Sequence, residues 1–171
     1  MRNEANPMPK VAVSDAAAHP TVDKTPAWRT RLAGLLVALA GAAILGTAVW
    51  LDANPAGLGT HTQLGWAPCG FEGRTGLPCA TCGMTTATTL AASGNLLASI
   101  RVQPGGFLFA LSAALAVFLG GWSAWTGRSL MPLANALVKP KSLLTLGFIV
   151  LLAWSYRIAD ALLGQPWTTL G

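Results

Sequence analysis

At 171 residues, 53% of them hydrophobic and only 10% charged, the chain is far poorer in charge than a soluble domain, where about a quarter of residues are Asp, Glu, Lys or Arg. The mean hydropathy of +0.52 points to a bilayer as the solvent. The net charge of +5 comes without a basic stripe interleaved with aromatics, which speaks against nucleic acid as a partner; it reads as the Lys and Arg that membrane proteins keep on the cytoplasmic side.

Residues 1–27 are polar, rich in Pro and Ala and without apolar periodicity, so they read as a disordered tail. Residues 28–171 then form a single helical membrane domain. Leu32–Trp50 is an uncharged apolar run long enough to span. It starts too far along the chain for a secretory signal, and no clear Ala-x-Ala site follows it, so it is read as a retained span. Residues 51–81, rich in Gly and Pro, are expected to be irregular. From Gly83 onward Met84, Ala87, Leu90 and Ala91 recur at helical spacing with threonines between them. Ser93-Gly94-Asn95 marks a break, and Leu96, Leu97 and Ile100 suggest a second short amphipathic helix that ends before Pro104. Both short helices are expected at the membrane interface or dipping into it.

Gly105–Trp125 is the second span. The third begins at Ser142 and needs residues up to Leu163 for sufficient length, which brings Arg157 and Asp160 into it. Those two are three apart on one helix face and can pair, either at the water interface or as an inward-facing functional pair. The predicted fold is therefore all-α, with spans at about 32–50, 105–125 and 142–163. Arg2, Lys10, Lys24, Arg29 and Arg31 precede the first span, and Arg128, Lys139 and Lys141 join the second to the third. The positive-inside rule puts both groups in the cytoplasm and leaves the 51–104 loop and the C-terminus exoplasmic. Trp28, Trp122 and Trp125 would then mark the inner interface, and Trp50, Trp154 and Trp167 the outer one. Small residues on the first helix, Gly34, Ala38, Gly41 and Gly46, allow close helix packing within the chain or between chains.

All three cysteines, Cys69, Cys79 and Cys82, fall in the loop after the first span. Cys79-x-x-Cys82 stands at the start of a predicted helix, whose N-terminal partial charge favours a thiolate. Gly76 and Pro78 set the approach to the pair, and Gly83 lets the chain turn sharply after it. Three chemistries are open. The thiolates can bind zinc or an iron–sulfur centre, with His61 as a candidate fourth ligand. Cys69 can bridge to Cys79 or Cys82 in the oxidising exoplasm, leaving one thiol over. Or Cys79 and Cys82 can serve a membrane thiol–disulfide oxidoreductase. Glu72 and Arg74 are read as solvated charges. Haem attachment is disfavoured because Gly83, not His, follows Cys82.

The stretch Cys69, Thr75, Gly76, Pro78, Cys79, Cys82, Gly83, Thr85, Gly94, Asn95 and Pro104 resembles the bacterial membrane family known as domain of unknown function 2752. That family's second proline is Ala80 here, and its frequent arginine is Thr86. The resemblance implies a small helical protein of the bacterial inner membrane with an exposed Cys-x-x-Cys loop, and it supplies no reaction. The functional expectation is a non-catalytic structural or accessory membrane component, its cysteine loop fixed by disulfide or metal, in contact with lipid and with other subunits or a second copy. The alternative is a thiol-redox or metal-dependent membrane enzyme using Cys79 and Cys82.

Overall fold

The computed structural model describes residues 26–163; the expectations for most of the 1–27 tail and for Trp167 lie outside that range. Among the described residues, three helices are long and apolar enough to cross a membrane: α1 (Ala27–Trp50), α5 (Pro104–Thr126) and α7 (Pro140–Leu163). Between the first two come the short helices α2 (Gly70–Thr75), α3 (Met84–Ala92) and α4 (Leu96–Val102), together with a 3₁₀ turn at Thr60–Leu64. Helix α6 (Met131–Leu137) links α5 to α7. Among the described residues the protein is all-helical, without strands.

Each long helix runs beyond the apolar window that announces it. Helix α1 begins at Ala27 rather than Leu32 and takes in Trp28, Arg29 and Arg31. Backbone hydrogen bonding continues past the hydrophobic stretch, because the polar flanks form helix as readily as the apolar centre. Helix α5 starts on Pro104, whose missing N–H costs nothing in a first turn, and ends at Gly127 with φ +74.

Helices α1 and α5 pack antiparallel along a seam of small residues. A Cβ on Gly34 would lie 2.7 Å from the Ala124 nitrogen, and one on Gly41 would lie 2.6 Å from the Ala113 oxygen. From the other side, a Cβ on Gly120 would lie 2.6 Å from the Ala38 nitrogen. Gly34, Ala38 and Gly41 thus serve packing within the chain. Gly46 does not, since nothing stands within 4 Å of its would-be Cβ. Thr30 closes the lower end by donating its hydroxyl to the Gly127 carbonyl at 2.9 Å. Helix α7 runs antiparallel to α5, with Ala153 against Gly105. The chain therefore goes up, down and up. Arg29, Arg31 and Arg128 stand at one end of the α1–α5 pair and the cysteine loop at the other.

The two short helices form a hairpin wedged against α1 and α5. Asn95 caps α4 by accepting from the Ala98 N–H, and Gly94 takes φ +87 in the break read from the sequence. The register of α3 differs from expectation. Ala87 is buried, but so are Thr86, Thr88 and Thr89, while Leu90 and Ala91 are only half-buried. Two of these threonines find partners inside, although the Thr89 hydroxyl has none among the described residues: Thr88 donates to the Met84 and Gly106 carbonyls at 2.8 and 3.3 Å. Thr86 shares a 2.8 Å hydrogen bond with Thr60. Helix α4 is likewise turned inside out. Ser99 is buried and donates to the Ala87 carbonyl at 2.7 Å, whereas Leu96, Leu97 and Ile100 face outward. An outward leucine face is what contact with lipid requires.

Candidate functional site

The 51–81 loop is more ordered than its Gly and Pro content suggests. Cys69 occupies the N-cap position of α2, and Gly76 ends that helix at φ +69, its N–H donating to the Glu72 carbonyl. The chain returns through Pro78 into a tight turn in which the Cys82 N–H donates to the Cys79 carbonyl and the Met84 N–H to the Thr81 carbonyl. Gly83 follows at φ +82, with the Gly57 carbonyl only 2.9 Å from where a Cβ would stand. Both the backbone angle and the space therefore require glycine at that corner.

This path gathers the three thiols. The Sγ atoms of Cys69, Cys79 and Cys82 all lie within 4.8 Å of one another. Cys79 and Cys82 are 3.2 Å apart, and all three are free thiols. A tetrahedral metal with bonds of about 2.3 Å to sulfur sets neighbouring sulfurs about 3.8 Å apart, so the cluster is near the right size for one ion. Burial raises the Cys79 thiol, but hydrogen bonds from Thr81 and Cys82 outweigh it and bring the pKa down to about 7. Burial pushes Cys82 up to about 12, with Cys79 and Cys69 adding to the rise. In the reduced, metal-stripped protein Cys79 is therefore expected to alkylate well before Cys82 at neutral pH, and its rate to fall as pH drops below about 7. Timed iodoacetamide labelling with peptide mapping checks this order.

Two side chains from distant elements hold the backbone around Cys79. The Trp154 indole on α7 donates to the Pro78 carbonyl at 3.2 Å, and the Gln103 amide before α5 donates to the Ala80 carbonyl at 3.1 Å. Tyr156, also on α7, ties that helix to α4 instead, its hydroxyl donating to the Arg101 carbonyl at 3.0 Å. Trp154→Phe keeps the aromatic bulk but strands the buried Pro78 carbonyl. If the cluster holds a metal ion, the expected result is about a tenfold loss of affinity for it, roughly 1.4 kcal/mol, with helix content unchanged. Competition with a chromophoric zinc chelator measures the first and circular dichroism the second.

The other residues singled out in the sequence fall as follows. His61 lines the same cavity as the cysteines, yet its Nε2 lies 3.2 Å from the Ala67 carbonyl and the ring is not part of the converging cluster. Arg157 and Asp160 do pair, at 3.1 Å. Arg157 is buried, not spread at the surface, and its Nε has no partner among the described residues. The pair stands one turn beyond Trp154 and does not touch the thiols.

Sequence reasoning missed Glu72. It is half-buried, and its Oε2 lies 4.0 Å from the Cys82 sulfur. Cys69 and Glu72 are three apart, so recognising α2 would have put them on one face. Thr81, Gln103 and Trp154 were also missed as part of the site, and only the Trp154 position carried a signal, as an interfacial aromatic. The cluster forms one end of a cavity of about 650 Å³. Its walls come from α1, α3, α5 and the loop.

These features define a helical, membrane-type protein with a three-cysteine cluster between its first and second long helices. Residues 69–117 match the model of a family described as "Protein of unknown function (DUF2752)". The matched segment covers the cysteine loop, the α3–α4 hairpin and the first half of α5. No curated protein and no solved structure matches the chain.

Proposed function

We propose that this is an integral membrane protein in which Cys69, Cys79 and Cys82 bind one thiophilic metal ion, zinc first. The metal fixes the exoplasmic loop and shapes the mouth of the cavity below it, and the protein acts as a non-catalytic binding or accessory component of the membrane. The observation that carries this reading is the convergence of all three sulfurs within 4.8 Å. A disulfide would employ two sulfurs and leave the third without a reason to be there. Three thiolates suit zinc. An iron–sulfur cluster as a rule takes four, one more than the chain has. Glu72 is the nearest carboxylate to complete a fourth position. The basic residues at the opposite end of the helices support a multi-pass protein with its N-terminus in the cytoplasm.

A second reading rests on the 3.2 Å separation of the Cys79 and Cys82 sulfurs. In it, the Cys79 thiolate attacks a substrate disulfide and Cys82 resolves the mixed disulfide. The substrate leaves as a dithiol, and Cys79–Cys82 is left oxidised.

One measurement separates the two. The protein is purified without reductant, its metal content is determined by elemental mass spectrometry, and its thiols are counted by alkylation and intact mass. About one equivalent of zinc per chain, with all three thiols alkylated once it is chelated, supports the metal centre. A metal-free chain carrying a Cys79–Cys82 disulfide overturns it in favour of exchange chemistry.

A further inference from the structure

The cavity that ends at the thiols is not closed on itself. One wall is the last two turns of α1, including Ala43, Ile44 and Thr47, and Phe109 of α5 faces it. Ala43 to Leu51 covers about 12 Å of helix axis, so the cavity is a groove that descends along a span. Ala43 and Thr47 are exposed and small, four residues apart on one stripe, and their size leaves the groove room. Polarity changes along it. At the α1 end the walls are mostly methyl and aromatic carbon, with the Thr47 hydroxyl among them; at the loop end are the three sulfurs, His61 and the Thr81 hydroxyl. Thr88, which also lines it, spends its hydroxyl on backbone carbonyls. The volume of about 650 Å³ lies within the usual range for small-molecule sites.

We infer that this groove binds one hydrocarbon tail of a membrane lipid, with the lipid's polar head lodged against the cysteine cluster. The inference rests on the membrane-embedded part of the functional reading and not on the metal. A water-soluble ligand would have to hold polar surface against a wall at hydrocarbon depth, and every unpaired polar group there costs several kcal/mol. A lipid tail is already in that solvent and gains close contact with Ile44 and Phe109 by entering sideways. The head finds little polar purchase below the groove, where the exposed residues of α1 and α5 are mostly apolar and Ser112 donates its hydroxyl to the Phe109 carbonyl of its own helix. At the loop end it meets hydroxyl, imidazole and sulfur. Glu72 beside Cys82 makes that end acidic, so a zwitterionic head is accepted more readily than an anionic one.

The test uses the full chain in phosphatidylcholine nanodiscs carrying a small share of phosphatidylcholine with a photoactivatable diazirine at the end of one tail. After irradiation, labelled peptides are mapped by mass spectrometry, and bound zinc is measured on the same sample. Label is expected on the Ala43–Thr47 stripe and at Phe109, at least fivefold above the exposed Leu143–Leu152 face of α7, which reports bulk lipid. Ala43→Trp and Thr47→Trp fill the groove from exposed positions. Each should cut groove labelling at least fivefold while leaving α7 labelling and zinc content unchanged. Groove labelling no higher than that of α7, or unaffected by both tryptophans, overturns the inference whatever the zinc content. If one variant loses α7 labelling through misfolding, the other decides. A matched probe with a phosphatidylglycerol head, labelling the groove as strongly as the zwitterionic one, overturns the assignment of the head.

Discussion

In the proposed metal centre, Cys69→Ser is expected to abolish zinc binding as completely as Cys79→Ser or Cys82→Ser. A zinc centre held by three thiolates loses a strong ligand in each case, and the affinity drop is about a hundredfold or more per sulfur removed. Cys69 is the informative position. It lies outside the Cys-x-x-Cys pair, ten residues before Cys79 and at the head of a separate short helix. In exchange chemistry carried by Cys79 and Cys82 alone, its loss would leave activity and redox state in place. Serine is nearly isosteric with cysteine, so the three long helices should persist, which circular dichroism and size exclusion verify. Retention of about one zinc per chain in Cys69→Ser would remove the basis for the proposed centre.

The second large effect concerns the seam between α1 and α5. Gly34→Leu should disrupt it, because even the first carbon of the new side chain meets the Ala124 nitrogen at 2.7 Å and the Gly120 oxygen at 2.8 Å. Backbone atoms cannot swing aside as a side chain can, so the helices must separate. Overpacking of this kind costs about 1–3 kcal/mol in ordinary cores and more where backbone must move. Gly46→Leu on the same helix meets nothing within 4 Å and is the matched control. The expectation is a fall of about 10 °C or more in detergent melting temperature for Gly34→Leu against little change for Gly46→Leu, with size exclusion showing aggregation only in the former. Equal behaviour of the two would mean that the seam contributes little to stability.

The long helices and the cysteine loop were legible in the sequence because hydropathy and residue type report solvent and chemistry directly. A run such as Leu32–Trp50 has few alternatives to a span. Helix ends were less legible, since Trp28 to Arg31 lower the hydropathy without interrupting the helix. The burial of Thr86, Thr88 and Thr89 was not legible at all. A threonine scores as polar, and only the three-dimensional arrangement reveals that Thr60, Met84 and Gly106 are there to satisfy the Thr86 and Thr88 hydroxyls, while that of Thr89 is buried without a partner among the described residues. The site divides in the same way. The thiols and their spacing were evident, and the turn at Gly83 followed from residue type. The approach of Glu72 required knowing that α2 exists. The hold of Trp154 on Pro78 joins positions 76 residues apart, and no local pattern encodes such a pairing. Nor could hydropathy reveal the groove, whose lining brings Ala43 and Thr47 of α1 together with Phe109 of α5 and residues of the cysteine loop.

The link from Trp154 to Pro78 also bears on how the protein is made. A ribosome that has just delivered the cysteines has still to synthesise the whole of α5, α6 and half of α7. Until the last span is threaded and docked, the carbonyl next to Cys79 has no indole to receive. The sulfurs thus emerge early but acquire their final spacing late. In the proposed metal centre, ion capture would then be a late event of biogenesis, and a chain truncated before Trp154 would lack the indole that holds the Pro78 carbonyl.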